Sequence, residues 1–410
     1  MRNSPFLRLL TAQMLMTLAS MMLSVAVGWH LYEATGNPFD LALVGLMQIM
    51  PIAGLFIVSG WVVDNVRRKY VLIACSLVQG LVLVGLAIQF TSAEFDRVAV
   101  FGLLFVNGIS RAFFSPAAQS VLPGLVSGDF LARAVAISST TRTAAEATGP
   151  FVAGLLIAWL DKDVYPVLAA LCFLTAPLYF SLPPNKVRRP TGRGLNQLLD
   201  GIRYVFNNPL VFPAISLDLV IVLVGSVVAL LPVYAVDILN VGPEALGLMR
   251  AMPAVGAVSA GIVFSRLDDV RNTGRLLFIS LIGFSLSILV FAFSSSLTLS
   301  LICLFVYGAT DMVSVNVRMT VVQLATPDEL RGRVNSVNSL FIATSNDMGD
   351  FRAGSVAAFL GAVPTVLLGG FMSLGVVIGA YFVFPTLRKL DRLTDAEPQP
   401  DEPAASTVRT

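Results

Sequence analysis

The second half of this chain of 410 residues repeats the first about 200 residues later, in segments too apolar for a soluble core. The stretch Gly45-Leu-Met-Gln-Ile-Met-Pro-Ile-Ala-Gly54 returns as Gly247-Leu-Met-Arg-Ala-Met-Pro-Ala-Val-Gly256, an offset of 202. Gly108, Arg133, Ser139, Gly149, Phe151, Ala153 and Gly154 recur at an offset of 200 as Gly308, Arg333, Ser339, Gly349, Phe351, Ala353 and Gly354. One half therefore duplicates the other. Two apolar halves repeated in the same orientation imply a membrane protein that rocks its halves around a central site.

Composition agrees with lipid as the solvent. Hydrophobic residues make up 56% and charged residues 13%, more apolar surface than a soluble fold can hide. Basic residues follow sidedness instead of clustering, so nucleic acid is not expected as a partner. Cys75, Cys172 and Cys303 each fall inside an apolar span, which favours packing over a disulfide framework or a metal site. No metal and no cofactor is expected. No GxxxxGK[ST] loop is present, so nucleotide is not expected to drive the protein.

At roughly 20 apolar residues per crossing, twelve spans are predicted, approximately 7–32, 40–62, 70–90, 98–122, 134–160, 164–182, 210–236, 243–265, 274–294, 297–324, 334–360 and 364–386. The first is too long for a cleaved signal peptide and is expected to stay. Lys and Arg crowd the loops of one side, with Arg97 and Lys162 alone on the other. The positive-inside rule then puts both termini in the cytoplasm. The expected organisation is an N-terminal six-helix half (1–182), a cytoplasmic linker (183–209), a C-terminal six-helix half (210–387) and a disordered tail (388–410). The linker carries an amphipathic run from Leu195 to Phe206.

Twelve spans in two tandem halves joined by a basic linker resemble the major facilitator superfamily, over nearly the whole chain. Gly60-Trp-Val-Val-Asp64-Asn-Val-Arg67-Arg68-Lys69 is similar to its signature loop, with Asn65 and Arg67 departing from the usual residues. The resemblance implies that Asp64 faces the start of the eleventh helix and, with Gly60 and Arg68, locks a gate. The second copy, with Ser265 at the Asp position, is degraded. Gly149-Pro150-Phe-Val-Ala153-Gly154 is similar to the element of the superfamily's exporters, and would let the fifth helix bend and approach a neighbour closely, which adds Gly149, Pro150 and Gly154 to the expected gating residues. Leu104 stands where those exporters carry an Arg, three residues before Asn107-Gly108. Pro327-Asp328-Glu329-Leu330-Arg331-Gly332-Arg333 and Asn346-Asp347-Met-Gly349-Asp350-Phe351 look like the branch that holds the enterobactin exporter and macrolide or multidrug efflux proteins.

The chemistry is expected among charges that a bilayer would otherwise expel. These are Arg111, Arg142, Glu146, Asp218, Arg250, Asp311, Arg318, Asp347, Asp350 and Arg352, five basic and five acidic. Arg111 and Asp311 occupy equivalent positions in the two copies, and the resemblance sets their helices across the cavity, where they would pair. Arg142 and Glu146 share a face at i,i+4. The candidate substrate and proton set is Arg111, Arg142, Glu146, Asp311, Asp347 and Asp350 with Asn107 and Asn346; Glu146 or Asp350 is the expected proton carrier. His30, beside Trp29 and Tyr32, is expected as an interfacial anchor.

The resemblance thus implies an all-α, twelve-helix secondary transporter in the inner membrane, a monomer exporting an amphipathic siderophore or drug in exchange for protons. A metabolite importer of the same fold remains open. An enzyme or lipid scramblase is disfavoured, because the single histidine forms no nucleophile and base constellation.

Overall fold

The computed structural model describes residues 4–92, 94–183, 194–266 and 271–392, and every regular element among them is helical. Six helices come first: α1 (Ser4–Thr35), α2 (Pro38–Asn65), α3 (Arg68–Thr91), α4 (Arg97–Val121), α5 (Gly128–Leu160) and α6 (Val164–Phe180). The linker supplies α7 (Gly194–Asn207). A broken segment follows, made of α8 (Val211–Gly225), a 3-10 turn (Val228–Leu230), α9 (Leu231–Val233) and a π-turn (Tyr234–Ile238). The rest is α10 (Pro243–Phe264), α11 (Thr273–Ala292), α12 (Leu297–Leu324), α13 (Asp328–Leu360), α14 (Ala362–Val383) and the short α15 (Pro385–Arg388).

Among the described residues ten segments are long and apolar enough to cross a bilayer, and two details reconcile them with twelve crossings. One segment, Asp129–Phe180, contains both α5 and α6. The missing crossing is α13, which matches the others in length but carries Asp347, Asp350 and Arg352 in its middle. Large apolar side chains lie exposed around the bundle, as a lipid-facing surface requires. Trp159 and Phe359, 200 residues apart, are 84% and 86% exposed at the ends of α5 and α13.

Helix starts are written locally. Asn37 caps α2 by accepting from the Phe39 N–H at 3.0 Å, with Pro38 at the first helical position; Asp96 caps α4 through the Val98 N–H at 2.8 Å. Within the first six helices α1 packs on α5 and α6, α2 on α4, and α3 on α4 and α6; α8 and α10 to α14 pack in the corresponding way. Two seams join the groups, α2 against α13 and α5 against α10.

The repeated glycines lie at these contacts. A Cβ on Gly154 would stand 2.6 Å from the Pro243 carbonyl oxygen and 2.8 Å from the Gly247 Cα. One on Gly354 would stand 2.8 Å from the Pro38 carbonyl oxygen and 2.7 Å from the Ala42 nitrogen. Both seams are therefore backbone against backbone, at the end of the bundle that holds the starts of α2 and α10. At the basic end, where α2 finishes, Gly54 and Gly60 have open space beside them.

Three expectations need correction. The segment expected as a continuous seventh span is interrupted after Gly225, where the bulk of Phe284 and Ser373 packs against the glycine and Pro232 lacks an N–H. His30 is no interfacial anchor: it is 1% exposed, with Nδ1 bonded to the Tyr165 hydroxyl and Nε2 to Asp161, both at 3.1 Å. Residues 388–391 are not a free tail, because the Leu390 and Asp391 carbonyls accept from the N–H groups of Gly274 and Thr273 at the start of α11. The remainder of that expected tail, 393–410, lies outside the described residues, as do 184–193 of the linker. The described linker helix α7 is held at the basic end by Tyr204, whose hydroxyl donates to the Ala325 carbonyl at 2.6 Å.

Candidate functional site

A cavity of about 160 Å³ lies between the two groups of helices, near the middle of α1, α2, α4, α10 and α13. Its walls are chemically divided. Met21, Leu41 and Val44 provide an apolar face. Gln48, Asn107, Arg111, Arg250, Asp347 and Asp350 provide a polar and charged one.

Arg111, Arg250 and Asp350 are each held by a hydrogen bond. Arg111 donates from Nη1 to the Gln48 Oε1 at 2.7 Å, from α4 to α2, and stands within electrostatic reach of Asp347 on α13. Arg250 donates from Nη1 to the Ser24 hydroxyl at 2.7 Å, a bond from α10 to α1 across the interface. Its Nε is buried without a hydrogen-bond partner, as is the Asn107 Oδ1, so polar capacity remains for a ligand. Asp350 accepts from the Ser226 hydroxyl at 2.5 Å. Arg352, two residues on, donates from Nε to the Leu223 carbonyl at 3.0 Å and from Nη2 to the Ser226 carbonyl at 3.4 Å. Those carbonyls are the ones freed where α8 breaks. The break is stabilised by α13, and it places Ala229 at the cavity wall.

The sequence-derived candidates divide. Arg111, Asp347, Asp350 and Asn107 line the cavity together. Asn346 is exposed and turns back to the Ile342 carbonyl at 3.0 Å. Arg142 and Glu146 pair with each other at 3.8 Å on α5, with side chains 61% and 41% exposed, outside the cavity. Asp311 does not meet Arg111. It lies 4.0 Å from Arg318 on its own helix, and Arg318 is also ion-paired with Asp218 on α8. Equivalence in the repeat sets depth and helix, whereas the partner depends on which neighbour each helix turns toward.

Among the gate candidates, Gly154 forms the α5–α10 seam, and Gly149 packs on Met21 of α1, where a Cβ would sit 2.7 Å from the Met21 Cβ. Pro150 lies inside α5 between them. Arg68 donates to the Ser120 carbonyl at 2.8 Å, tying α3 to the end of α4. Asp64 is in the last turn of α2, and its side chain lies outside the described residues. Opposite the basic end, Tyr32 of α1 donates to Asp237 of the π-turn, a second polar tie across the interface.

Gln48, Ser24 and Ser226 were absent from the sequence-derived candidates, and Arg250, although among the ten charges inside the spans, was left out of the substrate and proton set. Arg250 had a readable signal, since it occupies in the second copy the place of Gln48 in the first.

A family model described as transmembrane secretion effector matches residues 1–409. The enterobactin exporter of Citrobacter koseri is 25% identical over 389 residues, covering 93% of this chain and 91% of that protein. An Escherichia coli enterobactin exporter is 26% identical over 387 residues, covering 92% and 90%. Among solved structures, an inward-facing bacterial homologue of the lysosomal transporter Spinster aligns with a TM-score of 0.75 at 14% identity, covering 97% and 99%. A bacterial homologue of the iron transporter ferroportin aligns at 0.72 and 17%, covering 95% and 100%. At those identities the structural likeness speaks for the fold alone. The chain belongs to the transmembrane secretion effector family of major facilitator superfamily transporters.

Proposed function

We propose that this chain exports an amphipathic small molecule across a bacterial-type inner membrane, by alternating access and in exchange for protons. The observation that carries the reading is the cavity midway along the bundle, with ionisable and polar groups on one wall and apolar side chains on the other. Such a site suits a substrate that joins ionisable oxygens to a greasy body, as a catecholate siderophore does, and the enterobactin exporters among its relatives agree with that class.

The basic end is the cytoplasmic end in this reading. With glycine seams and the Tyr32–Asp237 bond closing the other end, the conformation receives substrate from inside. Rocking then parts those seams and breaks the Arg250–Ser24 bond, which frees the Arg250 guanidinium toward substrate as the outer route opens. The direction of net flux follows from the proton gradient.

Flux of enterobactin by the full chain in proteoliposomes tests this. The expected result is accumulation driven by an imposed pH gradient and abolished by a protonophore. Downhill flux that ignores the gradient would identify a facilitator instead, and no flux of enterobactin or of lipophilic drugs would overturn the substrate class.

A further inference from the structure

The charged groups inside the spans form two sets with opposite balances. Around the cavity, Asp347 lies within reach of Arg111, and Asp350 within reach of Arg250 and Arg352, so three guanidiniums serve two carboxylates. In the second set one guanidinium, Arg318, serves two carboxylates, Asp218 and Asp311. The cavity set can accept an anionic substrate without further compensation. The second set carries an uncompensated negative charge, which a low-dielectric site tolerates only with a cation or proton.

The two carboxylates of that set differ. Asp218 is in close ion-pair contact with Arg318, and their side chains are 14% and 5% exposed. Asp311 is 4.0 Å from the guanidinium and 39% exposed. A second, smaller cavity of about 20 Å³ adjoins Asp218 and Arg318, bounded by Met319 and Asn338, with room for about one water. Among the described residues, Arg318 is the one positive charge within electrostatic reach of Asp311. From α8 it faces Asp218; α10 holds Glu244 and Arg250, the latter at the main cavity; α11 holds only Arg275, at its start; α13 presents neutral Asn338 to the smaller cavity and holds Asp347 and Asp350 at the main one, with Arg352 beside Asp350.

We infer that Asp311 is the proton carrier of this transporter, in an Asp218–Arg318–Asp311 triad of the C-terminal half that is separate from the substrate cavity. The inference rests on the proton-coupled reading above. Hydronium on one side protonates the Asp311 carboxylate and leaves water, which takes the triad from net −1 to neutral, and on the other side Asp311 returns that proton to a water molecule. No other bond changes. A metal ion is a poor occupant, because the guanidinium stands between the carboxylates and too few further oxygens are present. Tyr307, one helical turn before Asp311, lies within electrostatic reach of both Asp311 and Asp350, so it links the triad to the cavity. It is also the repeat equivalent of the cavity residue Asn107.

The test uses the full chain in proteoliposomes with enterobactin as probe. Asp311→Asn leaves the Arg318–Asp218 pair intact, and should lower gradient-driven accumulation at least tenfold while counterflow stays within twofold of wild type; Asp311→Glu should restore accumulation. Labelling of wild type by an apolar carbodiimide, read by mass spectrometry, should fall on Asp311, increase as pH falls, and not be blocked by enterobactin. Coupled transport in Asp311→Asn, or labelling at Asp347 or Asp350 in place of Asp311, would overturn the assignment while leaving proton-coupled export standing. A wild type that ignores the pH gradient defeats both readings together.

Discussion

A methyl group added at Gly154 should shift the conformational balance more than it shifts stability. In Gly154→Ala the new Cβ would meet the Pro243 carbonyl oxygen at 2.6 Å and the Gly247 Cα at 2.8 Å. Ordinary contact begins at 3.4 Å, so the α5–α10 seam must widen by about 0.8 Å, and both obstacles are backbone that cannot rotate away. Overpacking of this kind costs about 1–3 kcal/mol. The cost falls only on the state in which the seam is closed. The better helix propensity of Ala, about 1 kcal/mol, applies whether the seam is open or shut and cancels. The population therefore moves by about 5- to 150-fold toward the state open at that end. A cysteine placed at Ser20 in the cavity, in a chain whose own three cysteines are buried, reports the change through an impermeant maleimide applied to either face. Labelling from the face opposite the basic end should accelerate, and Gly102→Ala, where the added Cβ has open space, should leave it unchanged. If Gly154→Ala inserts at wild-type level and labels at the wild-type rate from both faces, the seam does not set the balance.

Tyr32→Phe removes the donor to Asp237 and should shift the same labelling ratio about fivefold, for a bond worth about 1 kcal/mol. Arg318→Met strands the largely buried Asp218 and should cost about 3–5 kcal/mol, seen as a lower melting temperature in detergent than that of Asp311→Asn. Asp64→Asn should insert normally yet cut flux several-fold by altering the two-state balance; equal flux at equal protein level would remove Asp64 from the gate.

The duplication made the architecture legible. An offset near 200 and the apolar spans fix twelve crossings, and the repeated Gly154 and Gly354, of which only Gly154 was read as a point of close helix approach, turn out to lie at the two seams. Depth in the bilayer was legible too, which is why Asn107, Arg111, Asp347 and Asp350 fall together. Rotation about each helix axis was not. A turn of a fraction of 100° separates Arg111 facing Gln48 from Arg111 facing Asp311, and nothing in residue spacing records it. The break after Gly225 was hidden for a related reason: its freed carbonyls are satisfied by Arg352, 129 residues from Leu223 in sequence. His30 looked interfacial because its neighbours Trp29 and Tyr32 are typical of that layer, yet the ring turns inward to Tyr165 and Phe90.

The charge carried by α13 has a consequence for biogenesis. An Asp or Arg at the centre of a helix costs about 2.5–3.5 kcal/mol at translocon insertion, and α13 bears three such groups between Asp347 and Arg352. It cannot partition into lipid on its own merit as it emerges from the ribosome. The groups that compensate it, the freed carbonyls behind α8, Arg250 and Arg111, belong to helices synthesised earlier, and the apolar α14 follows directly behind it. Integration of α13 is therefore a folding step as much as an insertion step, because it can enter the bilayer only against helices that are already there.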